Sequence, residues 1–308
     1  MSTNAIQSSH IYSTYFAPRG RSRIYTLGMQ IAQLYLSPFD QIIGFIGEAG
    51  SGKSVLIKGM FPGIELTNDD DGVNVRPLPL LEQEYETGFF TPHTYHLDIR
   101  FETGFHQLSE LADAVRLAVR RGKRIIIEHF DLIYPLLGVN ANLLIGVGEQ
   151  IVITRPNLFG PLPQELCDIV YPSLAYRLMA HSAEDLCEYA MTQEQMLACS
   201  HGDIRHGFVL EFSEHQPDID IPTLEARVNE LIRQDLPIDY YDESHILLGG
   251  AQHYCTGPRT HVRSTGRIIG FRLLDHFIYD HFHKTYMLVG CVGDDSEENI
   301  RKLETIHG

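Results

Sequence analysis

Apolar residues along the chain fall into two kinds of block. Short, near-continuous runs occur at Gln41 to Ile46, Lys123 to His129 and Gln150 to Thr154. Runs of this kind read as strands buried on both faces. Between and before them lie segments with apolar residues at helical spacing. Ile24, Leu27, Ile31 and Leu34-Tyr35 mark one helix over Arg23 to Leu36, and Leu108 to Arg121 reads as another. A short helix is expected to end at Phe61-Pro62-Gly63, followed by a strand at Ile64 to Thr67 that enters Asn68-Asp69-Asp70-Asp71-Gly72. Pro77 and Pro79 mark a loop, and the alternation from His96 to Phe101 predicts a further strand. Strands alternating with helices imply a mostly parallel, doubly wound α/β sheet, with ligands at the carboxyl ends of its strands.

The pattern changes in the second half. Pro163 to Leu197 is helical in spacing, Phe208 to Phe212 reads as strand and Ile221 to Leu236 as helix. Val262 to Leu274 and Thr285 to Val292 are expected to be strand-rich, and Ser296 to Ile306 closes the chain as a helix. These runs predict an α+β domain over 179–308, after an α/β domain over 1–178.

Length and composition fit two ordinary domains: 308 residues, 44% hydrophobic and 21% charged. No apolar stretch reaches the roughly 20 residues that span a bilayer, so no membrane partner is expected. The start of the chain, Met1 to Ile6, lacks the basic and apolar regions of an export signal. Cys167, Cys187, Cys199, Cys255 and Cys291 are odd in number and scattered, which reads as reduced thiols. Both features predict the cytoplasm. Net charge is −16 and uneven: 14 basic against 18 acidic residues up to Arg177, then 10 against 22. An acidic second half disfavours a broad nucleic-acid surface.

Residues 47 to 54, Gly47-Glu48-Ala49-Gly50-Ser51-Gly52-Lys53-Ser54, form a complete G-x-x-x-x-G-K-S phosphate-binding loop, the Walker A pattern. It stands between a predicted strand and a helix start. Glycines let consecutive N–H groups curl around a phosphate, and a helix beginning near Lys53 aims its positive end at the same anion. Lys53 supplies a charge for the β- and γ-phosphates, and the Ser54 hydroxyl is a ligand for Mg²⁺. ATP or GTP with Mg²⁺ is therefore the expected cofactor. Glu128, ending an apolar strand with Asp131 three residues on, reads either as the second Mg²⁺ holder or as a solvated loop acid. Asp69-Asp70-Asp71 reads either as a source of the general base, with Asp70 at its centre, or as a solvated acidic turn. Adjacent carboxylates repel and raise one another's pKa, which suits a base. Arg155 is a candidate contact for the transferred phosphate, and His93, His96 and His129 lie at loop or strand-end positions.

The loop, the acidic turn and the strand ending in Glu128 together resemble the uridine kinase and phosphoribulokinase group of P-loop kinases, over roughly residues 40 to 160. That resemblance implies phosphoryl transfer to a small hydroxyl acceptor. In the second half, Phe208 to His215, the helix running through Arg227-Val228-Asn229 to Leu236-Pro237-Ile238, and Thr260-His261-Val262-Arg263-Ser264-Thr265-Gly266-Arg267-Ile268 are similar to the second additional (editing) domain of alanyl- and threonyl-tRNA synthetases. That family holds Zn²⁺ with an H-x-x-x-H and a C-x-x-x-H pair. Here Cys255 and His261 are six apart, with Pro258 in the insertion, and the first pair is matched by His181-Ser182-Ala183-Glu184-Asp185. The resemblance thus implies a Zn²⁺ site from His181, Asp185, Cys255 and His261. Ser182 with Asp185 equally has the spacing of a helix capping box. His253, His276, His281 and His283 read either as substitute ligands or as merely exposed histidines, and the local basic patch Arg259, Arg263 and Arg267 either as a site for a phosphate or a tRNA 3′ end or as partners of neighbouring acids.

Three functions follow as expectations. The first is an Mg²⁺-dependent phosphotransferase with Lys53, Asp70, Glu128 and Arg155 in its site. The second is a metal-dependent editing-type hydrolase under nucleotide control, and the third a non-catalytic nucleotide sensor.

Overall fold

The computed structural model describes residues 12–64, 66, 93–213 and 215–307. The expected strand over 64–67, the acidic turn with Asp70 and the Pro77–Pro79 loop lie largely or wholly outside them. The chain divides into two compact units, 12–15 with 22–172 and 16–21 with 173–307 among the described residues. The division falls at Pro172, a few residues before the one expected from sequence.

In chain order, the first unit contains β1 (Tyr12–Phe16, shared at its last residue with the other unit), α1 (Arg21–Tyr35), β2 (Ile42–Ile46), α2 (Lys53–Met60), β3 (Thr94–Asp98), α3 (Ile99–Glu102), α4 (Leu108–Arg120), β4 (Arg124–Glu128), α5 (Phe130–Leu137), β5 (Leu143–Val147) and β6 (Gln150–Thr154). The strands form one sheet in the order β1-β6-β5-β2-β4-β3. β3, β4, β2 and β5 are parallel neighbours, whereas β6 pairs antiparallel with β5. The sheet is therefore mixed, which corrects the expected parallel sheet at this edge. Gly148-Glu149 makes the reversal, with the Gly148 N–H donating to the Gln150 carbonyl. A hydrophobic run carries no direction, so β6 reads the same either way. The strand expected to reach Phe101 stops at Asp98, whose carboxylate accepts the Phe101 N–H at 3.1 Å and starts α3.

Every position of β2 and β5 is buried. Ile42, Ile46, Ile125, Ile127, Leu97 and Leu144 pack with α4 and α5 through Leu111, Val115, Phe130 and Ile133. Gly44 leaves room for Phe130, since a Cβ there would meet its ring at 2.7 Å.

Besides residues 16–21, which include the first residue of α1, the second unit comprises α6 (Pro163–Ala190) from Ser173 on, α7 (Gln193–Ala198), β7 (Cys199–Ile204), β8 (Gly207–Ser213), α8 (Ile221–Arg233), β9 (Ile238–Asp242), β10 (His245–Leu248), β11 (Ala251–Tyr254), β12 (Arg272–Leu273), β13 (Ile278–Asp280), β14 (Thr285–Cys291) and α9 (Ser296–His307). β12-β14-β8-β7 form an antiparallel sheet that β13 joins along β14, and β11-β10-β9 form a second one. Alternation along β8 sorts its side chains. Phe208, Leu210 and Phe212 join α6 and α8 in one core, while Val209 joins Val289 and Ile278 against Ile300 and Leu303 of α9. The expected strand-rich stretch from Val262 to Leu274 is mostly irregular, with one 3₁₀ turn at Thr265–Arg267 and the two residues of β12. Its buried side chains, Val262, Ile268, Phe271, Leu273 and Leu274, serve core packing, with a short ladder to β14 at Arg272 and Leu273. Among the described residues, no helix is long and apolar enough to cross a membrane.

Candidate functional site

Two groups of side chains stand out, one in each unit. In the first, β2 delivers the loop Gly47–Ser54 at the carboxyl end of the sheet. Gly47, Gly50 and Gly52 have φ of 155°, 79° and 90°, and Gly52 caps α2. A Cβ at Gly47 would lie 2.5 Å from the Val147 carbonyl, so the turn admits only glycine. Lys53 is buried at the first position of α2 and donates to the Glu48 carbonyl at 2.8 Å. Burial pulls its pKa below the ordinary lysine value, with Glu128 opposing that.

Parallel pairing places Phe45 of β2 opposite Glu128, and Glu128 opposite Asp98 of β3. Three strands thus end together. The Ser54 hydroxyl donates to Glu128 Oε1 at 3.2 Å, and Lys53 Nζ lies 3.7 Å from Glu128 Oε2. Glu128 is only 3% exposed, so it is no solvated loop acid. Burial alone would raise its pKa, but the His96 Nε2 contact at 3.1 Å, with the charges of His96 and Lys53, holds it down to about 2. Asp98, Glu128 and His129 offer ligand atoms within 4.8 Å of one another. His129 adopts the left-handed backbone region at φ 57°, and its buried Nδ1 lacks a hydrogen-bond partner. Burial, then Lys53 and Arg100, keeps that imidazole below its usual pKa. Arg100 reaches over the loop to Glu48 at 3.0 Å. Asp131 accepts from Tyr171, while His93 is exposed at the start of β3.

Arg155 does not belong to this group. Because β6 runs antiparallel to β5, its carboxyl end lies at the amino end of the parallel strands. There Arg155 binds Asp40 with two nitrogens, at 2.6 and 2.7 Å, and also the carbonyls of Tyr35 and Asn142. Its expected contact with a transferred phosphate is withdrawn. Asp70 lies outside the described residues. Asp98 was not singled out from sequence as a site residue. In the alternation from His96 to Phe101 it stands mid-strand, and only the helix start at Ile99 makes it a strand end.

In the second unit, α6 continues unbroken through Ser182, whose hydroxyl donates to Leu178 O and accepts the Val262 N–H. No helix starts there, so the capping-box reading fails. One face of α6 instead presents His181 and Asp185, one turn apart. Cys255 follows β11, and His261 lies in the next loop. The structure brings these four together, with ligand atoms within 4.8 Å of one another. Cys255 Sγ is 3.6 Å from His181 Nε2 and 3.7 Å from His261 Nε2, and His261 Nε2 is 2.7 Å from Asp185 Oδ2.

The inserted residues between Cys255 and His261 hold the site in place. The Thr260 and Pro258 carbonyls lie 2.9 and 3.2 Å from Nδ1 of His181 and His261 respectively. A carbonyl only accepts, so each Nδ1 carries hydrogen and each ring turns Nε2 inward. Gly257 donates to Cys255 Sγ, and a Cβ on it would strike the His181 ring at 2.6 Å. Burial and then His261 hold His181 far below the ordinary histidine pKa. Burial would raise Asp185, but His181 and His261 keep it well below the usual carboxylate range, and burial pushes the Cys255 thiol far up.

Of the alternative ligands, His276 and His283 lie beside Asp275 and Asp280 at exposed positions, whereas His253 is buried near the four. Arg259 stacks on Tyr240 at 4.4 Å and lies 3.8 Å from Glu243, and Arg263 and Arg267 are exposed. No protein-family model matches this chain, and no curated protein matches it.

Proposed function

We propose that the first unit binds a nucleoside triphosphate with Mg²⁺ and transfers its terminal phosphoryl group to a small hydroxyl acceptor. The observation that carries this reading is Lys53 and Ser54 of the glycine loop meeting Glu128 at the carboxyl edge of the parallel strands. The donor set fits its ligands. Positive-φ glycines and a helix start make an anion cradle that a Cβ would fill, and a hydroxyl beside a carboxylate suits a hard cation. Adjacency of the loop strand β2 and the Glu128 strand β4 adds to the resemblance to uridine kinase-like P-loop enzymes.

In this reading Lys53 neutralises the β- and γ-phosphates, and Ser54 and Glu128 hold the cation. Bound Mg²⁺ supplies charge neutralisation on the phosphate oxygens. The depressed Glu128 pKa keeps that carboxylate ionised at neutral pH. The acceptor proton goes to Asp98, at the same edge, or to Asp70 of the acidic turn. Asp98→Asn and Asp70→Asn distinguish them, since only loss of the base lowers turnover while nucleotide affinity is kept.

The test is ADP or GDP release by purified protein with Mg·ATP or Mg·GTP and a panel of nucleosides, sugars and amino acids. Acceptor-stimulated release that Lys53→Ala abolishes, with the unfolding midpoint unchanged, is the expected result. Tight binding without turnover on any acceptor makes the protein a nucleotide sensor instead.

The cluster in the second unit favours a second reading, a Zn²⁺-dependent hydrolase of the synthetase-editing type. Two imidazoles turned inward, a thiol and a carboxylate suit a borderline-soft ion. His181, Asp185, Cys255 and His261 would hold Zn²⁺, which supplies Lewis acidity. The acidic second half counts against tRNA as its substrate. Deacylation of alanyl- and seryl-tRNA, with Cys255→Ser as control, tests it.

A further inference from the structure

The four-residue set has an extension that its own ligands do not use. Down the same face of α6, one further turn on, comes Glu188. Across from it, on β11, stands His253. Asp185, Glu188 and His253 are 5%, 6% and 8% exposed, and their ligand atoms lie within 4.8 Å of one another. Donors around a zinc-sized ion at about 2.0–2.2 Å stand no more than about 4.4 Å apart, which is close to this spread.

The ring of His253 gives the second, independent observation. Its Nε2 is buried and has no hydrogen-bond partner, and a nitrogen of the same ring lies within 4.8 Å of a carboxylate oxygen of both Asp185 and Glu188. A buried polar atom without a partner is costly and calls for an explanation, an ion among them. Charge points the same way. Asp185 and Glu188 are two buried acids on one helix face, and buried like charges are tolerated when a cation pairs them. Glu188 also meets His201 Nε2 of β7, and Tyr189 sets its ring edge-on to His253 at 5.8 Å.

We propose that the second unit holds a second divalent-cation position, formed by Asp185, Glu188 and His253, which shares Asp185 with the His181–Asp185–Cys255–His261 set. Its two carboxylate oxygens let Asp185 serve both. The new position contains only nitrogen and oxygen donors, whereas the first contains a thiol. The inference rests on the reading of the first set as a metal site, and the difference in donors separates the two.

Cobalt(II) is the probe, titrated into chelator-treated full-length protein, with bound metal counted by elemental analysis. Expected are two equivalents beyond any held at Glu128, which Glu128→Gln removes, one of the two giving a thiolate-to-cobalt charge-transfer band. His253→Gln and Glu188→Gln are expected to bind one equivalent and keep the band, which also reports that the fold is intact. Cys255→Ser is expected to lose the band. A single equivalent in the wild-type protein, with its band, overturns the second position and leaves the first standing. So does loss of the second equivalent in His201→Gln but not in His253→Gln, which would move it to Cys199 and His201. No bound cobalt overturns both.

Discussion

Glu128 and Arg155 are both charged residues at the ends of apolar runs in the sequence, yet the fold sends them to opposite ends of the sheet. Glu128 meets the glycine loop because β4 runs parallel to β2, and Arg155 meets Asp40 because β6 does not. Arg155→Met is therefore expected to cost about 3–5 kcal/mol of stability, as removing one partner strands a buried charge. Nucleotide affinity of the folded protein should be unchanged. Urea unfolding and a binding titration check the two halves of that expectation. Glu102 carries a pH dependence of its own. Burial, with Asp98 adding to it, raises its pKa to about 7 from the ordinary 4.5, and Oε1 has no hydrogen-bond partner. Between pH 4.5 and 7 the folded state binds the proton more tightly than the unfolded chain. Stability falls as pH rises through that window, and the loss persists above it. Glu102→Gln should stabilise the protein by about 1–2 kcal/mol at pH 8 and hardly at all at pH 4, since one pKa unit is worth about 1.4 kcal/mol. Equal unfolding midpoints at pH 8 would refute it.

Among the elements, strongly periodic ones were readable and weakly buried ones were not. α4 has a pronounced apolar face, and it was expected over almost its observed span. β4, β8 and β14 carry enough buried positions to show as runs. β1, β9 and β11 expose most of their side chains, so alternation against a core never wrote itself into their sequence. How elements approach one another was equally hidden. A Cβ on Gly59 of α2 would lie 2.2 Å from the Tyr25 carbonyl of α1, and one on Gly28 would lie 2.5 Å from that of Leu56. The two backbones touch there, and they hold the helix that follows the glycine loop Gly47–Ser54. Gly59→Ala should destabilise the fold by about 1–3 kcal/mol, the usual cost of overpacking. It should also weaken ATP binding, because α2 must shift. Thermal denaturation and a nucleotide titration on the same variant test both effects.

At the scale of the whole chain, the second unit includes residues 16–21 from far upstream. Arg19 lies there, 3% exposed, in ion pairs with Glu184 of α6 and, at 3.2 Å, with Asp203. Arg19→Met leaves Glu184 charged and buried, and a loss of about 3–5 kcal/mol in urea unfolding is expected. No local pattern announces this residue, because its partners are more than 160 positions away. The sequence alone determined what is local: the glycine loop, whose backbone geometry only glycine allows, the apolar runs of the central strands, and the helix faces. The tertiary structure alone decided strand direction at β6, the company kept by Arg155, and the removal of water from Glu128. It also turned His181, Asp185, Cys255 and His261 from a list into a cluster. The contacts Ser54–Glu128 and His181–Cys255 each join residues 74 positions apart. Periodicity records which residues face a core, but which charged groups meet inside it depends on strand order and register, and these are properties of the folded chain.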